Sequence, residues 1–213
     1  MLVGYRMSKP VITVPQDMPI NEALNLMKKD HIRRAPVIHN GKLIGIVSDK
    51  DLLNASPSPV TSLSVWEMNY LLSKITVKDV MTKKVMTVQE NTPIEEAARI
   101  LADNKIGGMP VMRGDKVVGM ITETDLFKMF LELMGAREKG VRVTFLIEEK
   151  PGQLAAISKA VADLGGNFVS FGQFAGEDPS SRVITFKVQD LTEDQVRLVV
   201  TTYGIKLVDL RVI

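Results

Sequence analysis

Apolar positions along this chain follow two spacings, and one block of the pattern occurs twice. Residues 11–14, Val-Ile-Thr-Val, form a short β-branched run that predicts a strand. Ile20, Ala23, Leu24 and Met27 follow at the i, i+3, i+4, i+7 spacing of one buried helix face. Two apolar runs then flank Asn40-Gly41: Pro36-Val37-Ile38 before it, residues 43–47 after it. Both turn residues tolerate positive φ, so the pair predicts a tight hairpin. Ser48-x-x-Asp51 opens a second helix. The unit reads β-α-β-β-α.

Shifted by 74 positions, residues 7–53 fall on residues 81–127 without a gap, and 16 of the 47 aligned pairs are identical. Thr13/Thr87, Pro19/Pro93, Ala23/Ala97, Pro36/Pro110, Gly45/Gly119 and Asp51/Asp125 are among them. Such a self-match means two copies of one unit. Two copies predict a closed pair, since a solenoid needs at least about three repeats. In copy two, Thr92 suits an N-cap, Pro93 the first helical position, and Glu95 the acid of a capping box. Gly114-Asp115 replaces the Asn-Gly turn, and Thr122-x-x-Asp125 opens the last helix.

Residues 54–79 connect the copies. Ser56-Pro57-Ser58-Pro59 is a break, because neither proline continues a helix. Ser64 and Glu67 form a capping-box pattern for a helix through about Ser73, which carries Trp66. That tryptophan suits a core edge or a subunit contact equally. Further on, Leu126, Met129, Phe130 and Leu133 make one stripe, widened by Phe127, Leu131 and Met134 and stopped at Gly135. A face this broad predicts packing on a neighbouring domain or subunit, hence a homodimer.

After Gly135 the pattern changes. Residues 142–148 alternate as a strand. Glu149-Lys150-Pro151-Gly152 is a turn, and Leu154, Ile157, Val161 and Leu164 stripe a helix stopped at Gly165-Gly166. A strand over 168–174, a polar loop over 176–181 and a strand over 183–188 follow. Thr192 with Gln195 caps a last helix ending at Gly204, and residues 205–213 close as a strand. The order β-α-β-β-α-β is the ferredoxin-like arrangement. The expected fold is therefore α+β: a first repeat over 1–60, a helical connector over 61–79, a second repeat over 80–135, and a separate domain over 139–213.

Composition narrows the function. Net charge is +2 from 27 basic and 25 acidic residues, and aromatics are 5%, unlike a nucleic-acid surface with its basic face and stacking rings. Cysteine is absent, which excludes disulfides and thiolate chemistry. No apolar run reaches the about 18 residues of a membrane span, and the first residues lack a signal-peptide core, so a cytoplasmic protein is expected. His31 and His39 each lack a counterpart in the other copy. No zinc-protease, nucleophile-elbow, Walker or dinucleotide motif occurs, so the chain is expected to be non-enzymatic, with no metal or catalytic cofactor. Its 12 methionines suit adaptable core packing.

The repeat resembles the CBS domain, usually found in pairs. The resemblance rests on Thr13-Val14, Pro19-Ile20, Ala23, Pro36-Val37, Gly45-Ile46-Val47-Ser48 and Asp51. Their counterparts are Thr87-Val88, Pro93-Ile94, Ala97, Pro110-Val111, Gly119-Met120-Ile121-Thr122 and Asp125. The tail resembles an ACT domain through Pro151-Gly152-Gln153-Leu154 after a strand and Asn167 opening the next, although Glu149-Lys150 stands where an aspartate often precedes Pro-Gly. The order CBS–CBS–ACT is similar to the acetoin-utilisation B type of protein.

Ser48-x-x-Asp51 and Thr122-x-x-Asp125 carry the candidate chemistry. Free amides at a helix start favour an anion, and a hydroxyl there adds a donor. The same residues are also ordinary caps. Likeness to CBS pairs implies that the Asp takes the hydroxyls of a ribose, with adenine between residues near Thr13 or Thr87 and the segment before Pro36 or Pro110. Arg33-Arg34 aligns with Gly107-Gly108, so a guanidinium could clamp phosphate in one copy only, which predicts unequal sites. In the tail, Gly152 would admit a carboxylate near a helix start and Asn167 would complete the pocket, as in related amino-acid-binding domains; a structural or dimerising role is the other reading. The resemblance implies a regulator that senses AMP, ADP or ATP, relays it through the ACT-like part and acts on a partner enzyme. Its rival is an assembly protein with vestigial clefts that holds such an enzyme.

Overall fold

The first copy builds its core from its own apolar pattern. In the computed structural model, which describes residues 1–55, 70, 74–176 and 178–213, helix α1 is Ile20–Lys29 and buries Ile20, Ala23 and Met27, with Leu24 packed at the core edge. Ile20 and Met27 each contribute about 1.5–3 kcal/mol on burial. Strand β2 (Arg34–His39) pairs antiparallel with β3 (Lys42–Ser48) across Asn40-Gly41, whose φ values of 49° and 76° are those the turn needs. Helix α2 (Asp49–Asn54) follows. The expected four-residue opening strand shrinks to β1 (Val14–Pro15), parallel to β2. Residues 11–13 lie outside it; their counterparts Val85 and Met86 line a cleft, so the apolar run serves a surface there and not a ladder.

After a helical turn, α3 (Val77–Val80), the second copy repeats this design. It comprises β4 (Val88–Gln89), α4 (Ile94–Asp103), β5 (Gly108–Arg113), β6 (Lys116–Thr122) and α5 (Glu123–Leu133). Equivalence reaches the register: Val14 pairs with Val37, and Val88 with Val111. The expected cap of α4 is corrected. The helix starts at Ile94 with Pro93 before it, and Thr92 Oγ1 accepts from Gln89 N. Ile94 N instead donates to Met1 O, as Ile20 N donates to Ile75 O. A main-chain carbonyl from a distant segment thus does the work of a side-chain cap.

The repeat reaches further upstream than residues 7 and 81. Val77 in α3 is buried in the core of copy one, and Val3, 74 residues earlier in the 3-10 turn Val3–Tyr5, is equally buried. The copies also exchange main chain. Ser8 pairs with Met120 through N–H···O bonds of 2.8 and 3.1 Å, and Thr82 pairs with Ile46 through bonds of 2.9 and 3.0 Å. Gly45 and Gly119 permit this approach, because a Cβ at either would collide with the sulfur of Met81 or Met7. The proline break at 56–59, the Ser64/Glu67 cap, the helix to Ser73 and Trp66 lie outside the described residues.

The described residues divide into two units, 1–126 and 127–213, with the division inside α5. The second unit has strands β7 (Val141–Glu148), β8 (Asn167–Ala175), β9 (Ser181–Gln189) and β10 (Lys206–Val212), in sheet order β10-β7-β9-β8. Helix α6 (Gln153–Asp163) buries Ile157 and Val161, while Leu154 stays exposed; α7 (Glu193–Tyr203) carries the expected Thr192/Gln195 capping box. The core includes Phe145 and Phe186, packed edge to face. Lys187, 2% exposed, donates to Gly135 O (2.7 Å) and Glu138 O (2.9 Å), tying the segment before β7 to this sheet. Thus a mixed α+β chain carries a β-α-β-β-α pair followed by a further sheet domain.

Candidate ligand-binding site

The main-chain exchange sets the helix start of copy one beside the strand entry and loop of copy two. Together they form a cleft of about 270 Å³. Copy one supplies Arg34, Ile46, Ser48 and Asp51; copy two supplies Thr82, Lys84, Val85 and Met86, together with Lys105-Ile106-Gly107-Gly108. The site is composite. The sequence places a hydroxyl–carboxylate pair, a strand near Thr87 and a segment before Pro110, but it does not tell which copy serves which site.

At the helix start, Asp51 Oδ2 accepts from Ser48 N (2.8 Å) and Ser48 Oγ (2.7 Å), while Asp51 N donates to Ser48 Oγ (3.2 Å). This is a full capping box, so the bland reading of the motif holds. It leaves the other oxygen. Asp51 Oδ1 accepts no bond from the described residues, and a carboxylate oxygen has capacity for two donors. A vicinal diol would satisfy it.

The equivalent acid in copy two is differently placed. Thr122 N and Oγ1 donate to Asp125 Oδ2 at 2.9 and 2.7 Å, as before. Ser8 Oγ then donates to Oδ1 at 3.2 Å, and Asp125 is only 9% exposed. Both oxygens are taken. The two arginines part as well: Arg34 lines the cleft, whereas Arg33 Nη2 donates to Thr124 Oγ1 at 3.3 Å. They do not form the joint clamp their adjacency suggests. Glycine at 107 makes room for Arg34, since a Cβ there would lie 2.5 Å from its Nη2.

Of the residues singled out from sequence, the structure gathers Arg34, Ser48 and Asp51 in one cleft. Thr122 and Asp125 stand at the other helix start with Ser8. Thr13 and Thr87 are exposed just beyond the apolar residues that precede them, and Pro36 and Pro110 are buried in β2 and β5. Pro151 and Gly152 lie on an exposed turn, Gly152 at φ 88° before α6, with Gln153 and Leu154 opening the helix; Asn167 is exposed at the start of β8. The hollow of about 330 Å³ in this unit is lined by residues near Asp190 and Thr192, and by none of these five. Sequence reasoning missed Ser8, Lys84 and Lys105. The 74-residue shift was the available signal: it aligns Ser8 with Thr82, Lys84 with Pro10 and Lys105 with His31. Lys105 and His31 share a φ of 52°.

Comparison with known proteins agrees with this architecture. A CBS domain-containing protein of Dictyostelium discoideum is 30% identical over 135 residues, 62% of this chain and 93% of that one. The CBS domain pair of protein MJ0100, solved with 5-methylthioadenosine and S-adenosyl-L-methionine, is 28% identical with a TM-score of 0.52, over 65% of this chain and 98% of that one. The structure named as an acetoin utilization protein (AcuB) from Vibrio cholerae is 30% identical, TM-score 0.53, over 65% and 96%. CBSX2, solved with AMP, is 30% identical, TM-score 0.50, over 61% and 96%. The CBS domain profile matches residues 3–58 and 77–132, the same two stretches that begin at Val3 and Val77. The chain therefore belongs to the CBS domain family, as a tandem pair followed by a further sheet domain.

Proposed function

We propose that this protein is a non-catalytic regulator that binds an adenine nucleotide between its CBS repeats and relays the bound state to its C-terminal unit. The observation that carries the reading is the composite cleft, where Asp51 keeps one carboxylate oxygen unpartnered among the described residues, beside apolar Val85, Met86 and Ile106. A ribose diol suits the first and a purine ring the second. That CBSX2 was solved with AMP and MJ0100 with two adenosine compounds supports the ligand class. Helix α5 supports the relay, because it carries Asp125 at its start and continues past the division between the units. A ligand shifts such a protein only by binding two arrangements unequally.

In this reading the C-terminal unit is an ACT-like domain, supported by its element order and by Gly152 at the start of α6. Its role is structural or dimerising. The homodimer is supported by exposed Phe127, Phe130, Leu131 and Leu133 on α5. Likeness to the AcuB structure supports a role in acetoin- or acetate-type carbon metabolism, acting on a partner enzyme. Cytoplasmic placement, without nucleic-acid or membrane partners, completes the proposal; among the described residues no helix is long and apolar enough to cross a membrane. A second reading, a scaffold with vestigial clefts, is favoured at one position by Ser8 on Asp125.

Melting temperatures with AMP, ADP, ATP, S-adenosylmethionine and amino acids separate the two. At a hundredfold excess over its dissociation constant, a ligand of the native state adds about 2.7 kcal/mol. A shift with a nucleotide is expected. No shift with any adenosine compound at millimolar concentration favours the scaffold, and a shift with an amino acid alone moves the site to the C-terminal unit.

A further inference from the structure

Resting on that reading, we infer that the Ser48/Asp51 cleft selects phosphorylated adenosine over neutral or cationic adenosine derivatives, and that Lys84 and Lys105, with Arg34, set this selectivity. These three cations line the same cleft and face a single lining carboxylate, Asp51. None of the three forms an ion pair with a described residue, whereas Arg99, Arg113, Arg142 and Lys159 are all paired. Positive charge gathered without a protein partner in a concave site raises the local concentration of an anion and offers it charge-assisted donors. A sulfonium ligand meets the same field as repulsion, and an uncharged thioether nucleoside gains nothing from it.

The arrangement comes from the junction between copies and not from the repeat itself. The 74-residue shift carries Arg34 to Gly108, Lys84 to Pro10 and Lys105 to His31, so the other helix start lacks the set. There Arg33 is already bonded to Thr124. Lys105 is held at φ 52°, a left-handed backbone that fixes where its side chain leaves the loop. Gly107 seats the guanidinium of Arg34 against the same loop. Two of the three cations are thus positioned by local backbone before any ligand arrives.

Calorimetric titration of the full chain with adenosine, methylthioadenosine, S-adenosylmethionine, AMP, ADP and ATP tests the inference, at low and high salt. Lys84→Gln and Lys105→Asn serve as variants, since both side chains are exposed and Asn tolerates the left-handed backbone. The native protein should bind ATP at least about tenfold more tightly than adenosine, with a preference that shrinks as salt rises. The double variant should lose about tenfold in ATP affinity and keep its adenosine affinity within about twofold. Adenosine or S-adenosylmethionine binding as tightly as ATP overturns this inference alone, as does an equal loss of ATP and adenosine in the double variant. Binding of none of the six overturns the nucleotide reading beneath it as well.

Discussion

Replacing Asp51 or Asp125 by alanine removes the same residue from two copies of one motif, yet the consequences should diverge. Each change deletes the acid of a capping box, a loss of about 1 kcal/mol. For Asp125 there is more, because its second oxygen accepts from Ser8 and the side chain is 9% exposed. Losing that hydrogen bond to a nearly buried carboxylate adds about 1 kcal/mol, toward about 2 kcal/mol in all. Among the described residues Asp51 has no such partner for its second oxygen, so its removal costs the ligand more than the fold. One lost charge-assisted hydrogen bond is worth about 1.5–3 kcal/mol, or tenfold and more in affinity. Asp51→Ala should therefore melt below the native protein only by its lost cap, a smaller drop than in Asp125→Ala, and bind ATP at least about tenfold more weakly. Asp125→Ala should melt several degrees lower and bind ATP nearly as the native protein does. Calorimetry for melting and for binding reads both quantities on each variant. Equal loss of affinity in the two variants, or intact binding in Asp51→Ala, would refute the distinction drawn from Ser8.

Other perturbations reach separate parts of the account. Gly119→Ala or Gly45→Ala should destabilise the CBS pair by about 1–3 kcal/mol, since the new methyl meets Met7 or Met81 where the copies exchange main chain; denaturant midpoints measure it. Lys187→Met should cost about 2 kcal/mol by leaving two carbonyls near β7 unsatisfied, and hydrogen exchange over 135–140 should rise with it. Acid stability follows from depressed carboxyls. Asp79 is held below its ordinary 3.8 by the Thr76 amide, Asp178 by the Ser180 hydroxyl and Asp209 by the Arg211 guanidinium. Groups so depressed stabilise fully above their unfolded pKa and lose that contribution as pH falls through the folded value, so melting temperature should stay level above about 5, fall below about 4, and fall less steeply in Asp79→Asn. Light scattering should show a dimer, and a single chain of 23.5 kDa at micromolar concentration would remove the role given to the exposed face of α5.

Legibility in the sequence followed the range of the interactions. Local signals carried far: Asn40-Gly41 gave its hairpin, Thr192 with Gln195 its cap, and the stripe Ile20, Ala23, Met27 its buried face. Signals that depended on a distant partner did not. Thr92 looked like a cap, but the first amide of α4 is satisfied by Met1 O, from the far end of the chain. Leu154 fits a helical stripe and is nonetheless exposed, because periodicity does not say what covers a face. The pair Arg33-Arg34 offers two guanidinia for a phosphate clamp in copy one, and the sequence does not say which of them meets it. Arg33 lies in the bend before β2 and Arg34 opens the strand, and the packing of the copies sends Arg34 to the cleft and Arg33 to Thr124. Ser8 and Lys105 belong to no motif at all; Lys105 gains meaning only from the composite cleft it lines, and Ser8 only from its bond to Asp125, 117 residues away.

Hydrogen exchange of the full chain with and without saturating ATP tests the central claim most directly, because it reports where a ligand is held as well as whether it binds. The account predicts slowed exchange over 46–51, 82–86 and 105–108, three stretches that line the composite cleft with Arg34, and little change over 120–125. Protection centred on 120–125, or no protection in either place at a concentration that saturates binding, would contradict it.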